Sequence, residues 1–501
     1  MTERTKIGVT ILMVGLALGI LADALLRPKP WGLNIFLWTA FLGILLILLE
    51  HRGPGLEASH RSGLILTAVL CAAAFTWHDS SVLSLLDGLG ILVSFGLLAL
   101  PIVDRPFKLA GIMEYGLEAT AAGLYCLCGL PLLLFGDIEW KELANGDGLR
   151  RSIAAGRGVL LALPLLFIFG GLLMAGDAVF EGIVNQVLYQ YFNNLFGHIF
   201  VIGFGTWLAA GFLRGIIVNK ELVIRNLSRP KTLVLGGVET GIVLGLLDLL
   251  FLCFILVQLR YLFGGSARIE TYTKLTYAEY ARRGFFELVT VGALVLPLLL
   301  VMEWLVKKDN RTHLGLLRWL AGLQVILLFV IMASALQRMR LYQNEFGLTE
   351  LRLYTTAFMG WLAVVFVWFM ATVLTGRRER FAFGALVAGF LLIASLHLLN
   401  PDDFIARTNL ARVVAGRSFD AKYASSLSAD ATPALIAGIA TLGLEERKLI
   451  ADCLLKRWSS QEPWDWRSWN WSRHKARKLV QERELGLRKA AEGENKEVTN
   501  F

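Results

Sequence analysis

Charge is scarce in this chain. Only 18% of its 501 residues are Asp, Glu, Lys or Arg, against about 25% in an ordinary soluble domain. A soluble protein of this length folds as several domains under a polar skin, and there is too little charge here to make one. Cysteine is sparse too, at five residues. Cys71, Cys126, Cys128 and Cys253 sit inside apolar runs, where a thiol behaves as a small hydrophobe, and Cys453 stands alone in polar sequence. Neither a C-x-x-C pair nor a zinc knuckle is present. A disulfide scaffold is excluded, and no metal or cofactor is called for. Also absent are a phosphate-binding Gly-x-x-x-x-Gly-Lys-Ser/Thr loop, a His-Glu-x-x-His helix, a Gly-x-Ser-x-Gly elbow and a ladder of arginines. No convincing inverted repeat of the transporter kind is visible.

What the chain has is long apolar runs. The mean hydropathy is +0.59 and 56% of residues are apolar. A hydrocarbon core about 30 Å thick needs about 20 apolar residues in a helix. Eleven runs qualify: Ile7–Leu26, Leu33–Leu49, Ser62–Trp77, Val82–Val103, Gly158–Ala175, Ile199–Ile217, Thr240–Leu259, Phe285–Val306, Leu314–Leu336, Tyr354–Thr375 and Phe381–Leu399. The first reads as a retained signal anchor. A twelfth, Leu117–Phe135, carries Pro131 and either spans or lies along the interface. Val179, Phe180, Ile183, Val187, Leu188 and Phe192 follow helical spacing and predict an amphipathic interfacial helix. The expected fold class is therefore all-α: a polytopic transmembrane helical bundle of 11–12 spans with a small helical C-terminal domain.

The net charge of +9 lies in the short loops and the C-terminal tail. Basic loops face the cytoplasm and anionic lipid, so the bilayer is the expected partner and nucleic acid is not. Tail and intramembrane arginines aside, eleven spans with the N-terminus inside leave 20 Lys/Arg on inner loops and 10 on outer ones; twelve leave 14 and 16. The positive-inside rule thus prefers eleven, with the tail outside. From Asn400 onward 31 of 102 residues are charged, about twice the preceding density. That jump sets the organisation: a four-span region over 1–103, an interfacial segment or extra span over 104–157, a membrane core over 158–399, a polar helical tail over 400–491 and a disordered end over 492–501. Within the tail, Asp430 reads as a helix cap with Pro433 in the first turn. Trp464, Trp466, Trp469 and Trp471 form a cluster that packs on the interface, fills a groove or stacks on a ligand.

Several stretches carry a family resemblance. They are Leu246–Phe251 with Gln258–Gly265, Tyr277–Leu288, Asn400–Arg412 and Asp465–Arg473. Over roughly Gly158 to Val480 the chain resembles bacterial polytopic membrane proteins of the domain-of-unknown-function family numbered forty-one seventy-three, and its close relative forty-one fifty-three. The resemblance implies a bacterial inner-membrane location and a shared architecture, and it supplies no catalytic residue.

Two sets of residues are candidates for function. On either span count the segment Arg260–Gly284 and the tail share one side of the membrane. A polar face of Arg260, Tyr277, Glu279, Tyr280, Arg282, Arg283, Glu287, Asp402, Asp403, Arg407, Asn409 and Arg412 could hold an anionic group, a peptide or a solute, or simply latch loop to tail. The second set is intramembrane. Asp248 and Asp87 lie within apolar runs, where a lone charge is prohibitive, so each is a polar clamp or a proton or ion site. His397 lies near the end of the last run. The leading expectation is a non-enzymatic sensor, regulator or assembly partner with an envelope or cytoplasmic protein partner. A proton- or ion-coupled transporter using Asp248 is the alternative, and an enzyme acting on lipid or glycan is a third reading.

Overall fold

A computed structural model describes residues 1–49, 58–99, 112–143, 147–187, 193–218, 236–262, 285–306, 311–459 and 465–493. Every regular element among them is helical. The order is α1 (Glu3–Leu26), α2 (Leu33–Leu49), α3 (Ala58–Trp77), α4 (Ser81–Leu98), α5 (Ile112–Leu132), α6 (Trp140–Leu143), α7 (Asp147–Gly176), α8 (Ala178–Val187), α9 (Asn193–Ile217) and α10 (Gly237–Leu262). Then come α11 (Phe285–Leu305), α12 (Arg311–Phe346), α13 (Glu350–Thr372) and α14 (Phe381–Leu399). The tail supplies α15 (Pro401–Val414), α16 (Ala421–Ser426), α17 (Thr432–Gly438), α18 (Leu444–Trp458), α19 (Trp471–Glu482) and α20 (Glu484–Glu492). Among the described residues nine helices are long and apolar enough to span, and three shorter apolar helices accompany them. The chain is an all-α, multi-pass helical bundle.

The uncertain twelfth run is a helix of spanning length, Ala119–Asp137. It absorbs Pro131 by widening into a π-turn at Leu133–Asp137; a missing N–H and a crowded carbonyl are what a proline imposes there. The predicted amphipathic stretch forms the short helix α8 as far as Val187, and its remainder, through 192, lies outside the described residues.

Two apolar cores hold the membrane bundle. One gathers α1, α2, α3, α4, α5 and α9 around Ile11, Leu42, Ala68, Leu133 and Leu213. The other gathers α10 to α14 around Leu244, Leu299, Leu328 and Phe366. Small residues let α1 and α9 touch. A methyl on Gly15 would come within 2.9 Å of Ala210 Cβ, and one on Gly19 within 2.5 Å of Ile202 O, the close approach that small-x-x-x-small spacing permits. The second pair of this kind behaves differently: Gly241 packs on Leu316 while nothing lies near Gly245. The tail closes around a third core, with Ile405, Leu435, Ile439, Ile450, Val480 and Leu487 buried.

Helix α12 is 36 residues long, about 54 Å at 1.5 Å per residue, and it outruns the hydrocarbon. Its polar last turns project to the tail. Arg412 donates to the carbonyls of Asn344 and Glu345 at 2.9 Å each. Asn409 closes a two-way amide pair with the Leu348 backbone, both bonds 2.8 Å, and the Glu350 N–H donates to Tyr423 Oη at 2.7 Å.

The tail also caps the turn between α1 and α2. Leu33 N–H donates to Trp469 O at 2.9 Å, and Arg473 donates to Trp31 O at 2.7 Å. The other end of α1 is fastened elsewhere. There Arg4 meets Asp137 at 2.8 Å, and Arg214 meets the same carboxylate at 2.5 Å. The tail and residues 2–6 therefore lie at opposite ends of α1, which predicts an odd number of crossings between them. An impermeant maleimide applied to intact cells is expected to label a cysteine at Thr2 and the native Cys453 in opposite fashion, the other cysteines being replaced. Equal labelling of both positions would refute this arrangement.

Candidate functional site

The most unusual chemistry in the bundle is where α3, α4, α14 and the tail meet. Helix α3 stops at Trp77, and Ser80 is extended ahead of α4. This leaves His78 and Asp79 in the turn. His78 is only 5% exposed, and its Nδ1 lies 2.8 Å from Asp430 Oδ1. Asp430 sits in a one-turn 3₁₀ segment of the tail and is 4% exposed. Its carboxylate accepts from Asp79 N–H at 2.7 Å, Ser472 Oγ at 2.5 Å and Ser428 Oγ at 3.1 Å. Ser472 is placed by α19, whose N-cap Asn470 accepts from Arg473 N–H. The Asn470 amide donates to the carbonyls of Phe75 and His78 at 2.8 and 2.9 Å, satisfying orphan carbonyls at the end of α3.

A second histidine extends the hub into the bundle. His397 lies on the last turn of α14, which ends at Asn400 in a left-handed conformation ahead of Pro401. The rings of His397 and His78 stack with centroids 5.4 Å apart, and Trp77 covers both. His397 Nε2 reaches Asp87 Oδ1 on α4 at 2.9 Å, with Asp87 1% exposed. Each imidazole thus has one nitrogen on a carboxylate. The remaining nitrogens, His78 Nε2 and His397 Nδ1, find no hydrogen-bond partner among the described residues. The result is a continuous buried series: Asp87, His397, His78, Asp430.

Around it ionisable groups crowd together. Asp79 faces Arg473 at 3.6 Å and Arg457 at 4.0 Å, and Asp402 is 1% exposed with one backbone donor, Ser428 N–H at 3.3 Å. Four carboxyls, Asp79, Asp87, Asp402 and Asp430, are matched by two arginines and two histidines. Burial pushes the Asp402 carboxyl up to about 6, and the negative charges of Glu350 and Asp430 push the same way, against the Ser428 hydrogen bond. Burial also raises Asp79, against the pull of Arg473. Asp430 goes the other way: burial would raise it, but the His78 hydrogen bond and charge, with Ser472 and the Asp79 N–H, hold it below the usual carboxylate range. Neighbouring carboxyls held apart in this fashion share protons rather than all ionising. Among the described residues no three His, Cys, Asp or Glu side chains converge as a metal ion would need.

The residues proposed from sequence are distributed as follows. Tyr277, Glu279, Tyr280, Arg282 and Arg283 lie outside the described residues, as does the side chain of Arg260. Glu287 is exposed at the start of α11. Asp403 and Arg407 pair with each other at 2.7 Å on the tail surface, and Asn409 and Arg412 bind the end of α12. Asp402 and Asp87 belong to the hub, whereas Asp248 lies apart on α10. His78, Asp79, Asp430, Asn470, Ser472 and Arg473 were not singled out from sequence as a site. The available signal was scarcity: the chain has seven histidines, and two of them end apolar runs.

A bundle of apolar helices carrying a clasped helical domain at one end defines a multi-pass membrane protein. This chain belongs to the family described as domain of unknown function (DUF4153), which it matches over residues 64–438. That is the second of the two related families named above, and the match starts earlier and ends sooner than the resemblance suggested, leaving Asp465–Arg473 outside. The matched region holds His78, Asp87, His397, Asp402 and Asp430, while Asn470, Ser472 and Arg473 lie beyond it. No curated protein and no solved structure matches the chain.

Proposed function

We propose that this is a non-enzymatic sensor or regulator of the bacterial inner membrane, in which the C-terminal domain is the responding element and an envelope or cytoplasmic protein is its partner. The observation that supports this reading is the buried series Asp87–His397–His78–Asp430, which starts inside the bundle and ends on the tail. A change of protonation or helix position at Asp87 alters what His397 and His78 can offer Asp430, and so the hold on the tail. The loop portion of the sequence-proposed polar face contributes nothing to this reading, which stands on the tail alone. Basic loops and the family resemblance support the bacterial inner membrane.

Coupling is the test. Asp87→Asn and His397→Gln alter groups that make no hydrogen bond to the tail. Both are expected to raise amide hydrogen exchange in α16–α19 by roughly 10-fold, corresponding to about 1.4 kcal/mol of weakened docking. Unchanged exchange in the tail of folded variants would sink the proposal.

A further inference from the structure

Helices α10 and α12 run parallel in a fixed register. Gly237 packs on His313 at one end. At the other, Ser334 Oγ donates to Gln258 Oε1 at 2.7 Å across a separation of 76 residues. The same separation carries Asp248 to Gln324. Asp248 is 5% exposed and Gln324 0% exposed, and among the described residues neither carboxylate oxygen of the one nor either amide atom of the other has a hydrogen-bond partner. Two polar groups without hydrogen bonds thus share one level of one helix interface, among Leu244, Phe251, Val325 and Leu328. Left so, each costs about 1–3 kcal/mol, and an ionised carboxylate there would cost far more.

We propose that Asp248 and Gln324 form an intramembrane proton-binding site. In the acid form the Asp248 O–H can donate to Gln324 Oε1 while the Gln324 amide donates back to the carboxyl. Loss of the proton leaves a carboxylate against an amide oxygen, so the pair holds one proton and releases it only when the helices part or water enters. A bare metal cation fits poorly, since a hard cation takes about six oxygen ligands and this level of the interface offers three. The charged groups of the helices packed here are Glu239 and Arg260 on α10, Arg311, Arg318, Arg338, Arg340 and Glu345 on α12 together with His313, and Glu287 and Glu303 on α11. Those on α10 and α12 are all more than a helical turn from the pair in sequence, and those on α11 lie at that helix's two ends. This inference is independent of the tail hub.

The test is pH-difference infrared spectroscopy of the full chain in phosphatidylethanolamine–phosphatidylglycerol vesicles. A protonated-carboxyl C=O band that titrates with a midpoint above about pH 6, two units above an ordinary aspartate, and that Asp248→Asn removes, is the expected result. A band constant from pH 5 to 10 would mean a permanently neutral clamp and overturn the proposal. So would the lack of any band assignable to Asp248. If the variant does not fold, dicyclohexylcarbodiimide labelling of the native chain, mapped by mass spectrometry, makes the assignment. Labelling of Asp248 that weakens at least ~10-fold between pH 6 and pH 9 supports the site, and labelling elsewhere only refutes it.

Discussion

Asp430→Ala is expected to release the C-terminal domain from the bundle. The substitution leaves His78 Nδ1, the Asp79 N–H and the Ser472 hydroxyl without the acceptor they share, in a site with almost no access to water. Removing one partner of a buried, hydrogen-bonded pair costs about 3–5 kcal/mol, most of it the penalty of stranding the others. The effect should fall on docking more than on the tail's own fold, because the tail core around Ile405, Leu435 and Ile450 is separate. Limited proteolysis and hydrogen exchange of α16–α19 read it directly. Asp403→Ala is the control. Its exposed pair with Arg407 is of the surface kind worth about 0–1 kcal/mol, and similar losses from the two variants would contradict the assignment of Asp430 as the clasp.

Docking should also depend on pH, with an optimum on the acid side of neutrality. The Asp402 carboxyl is raised to about 6 in the folded chain, against about 3.9 when unfolded. A carboxyl raised by folding favours the protonated form, so its contribution is complete below about pH 4 and is lost as pH climbs through about 6; two units correspond to roughly 3 kcal/mol. Asp79, also raised by burial, tilts the same flank. Asp430 has the opposite sign. Held below its unfolded value, it stabilises above about pH 4 and ceases to as the pH falls further. Denaturation of the tail followed between pH 3 and 8 should therefore show greatest resistance near about pH 4 and a decline from there to about pH 6. Asp402→Asn should flatten the alkaline flank and leave the acid flank in place. A stability that rises steadily from pH 5 to 8 in the native chain would exclude this account.

The amino-acid order alone decided the class of this protein. Long apolar runs at 18% charge have one physical solution, helices in lipid, because backbone groups must be satisfied within each span. The rise in charge at Asn400 marked the tail for the same reason, since a segment with a polar surface can close its own core in water. Asp87 and Asp248 stood out because carboxyls in hydrocarbon are expensive. What the order could not decide was partnership. Asp430 read as a helix cap, yet its carboxylate turns outward to His78, 352 positions earlier in the chain. His397 reached Asp87 across 310 positions, and Asp248 met its level with Gln324 only through the register of two parallel helices. Pairings of this range leave no local periodicity. They come from which helix ends converge in space, which packing alone sets.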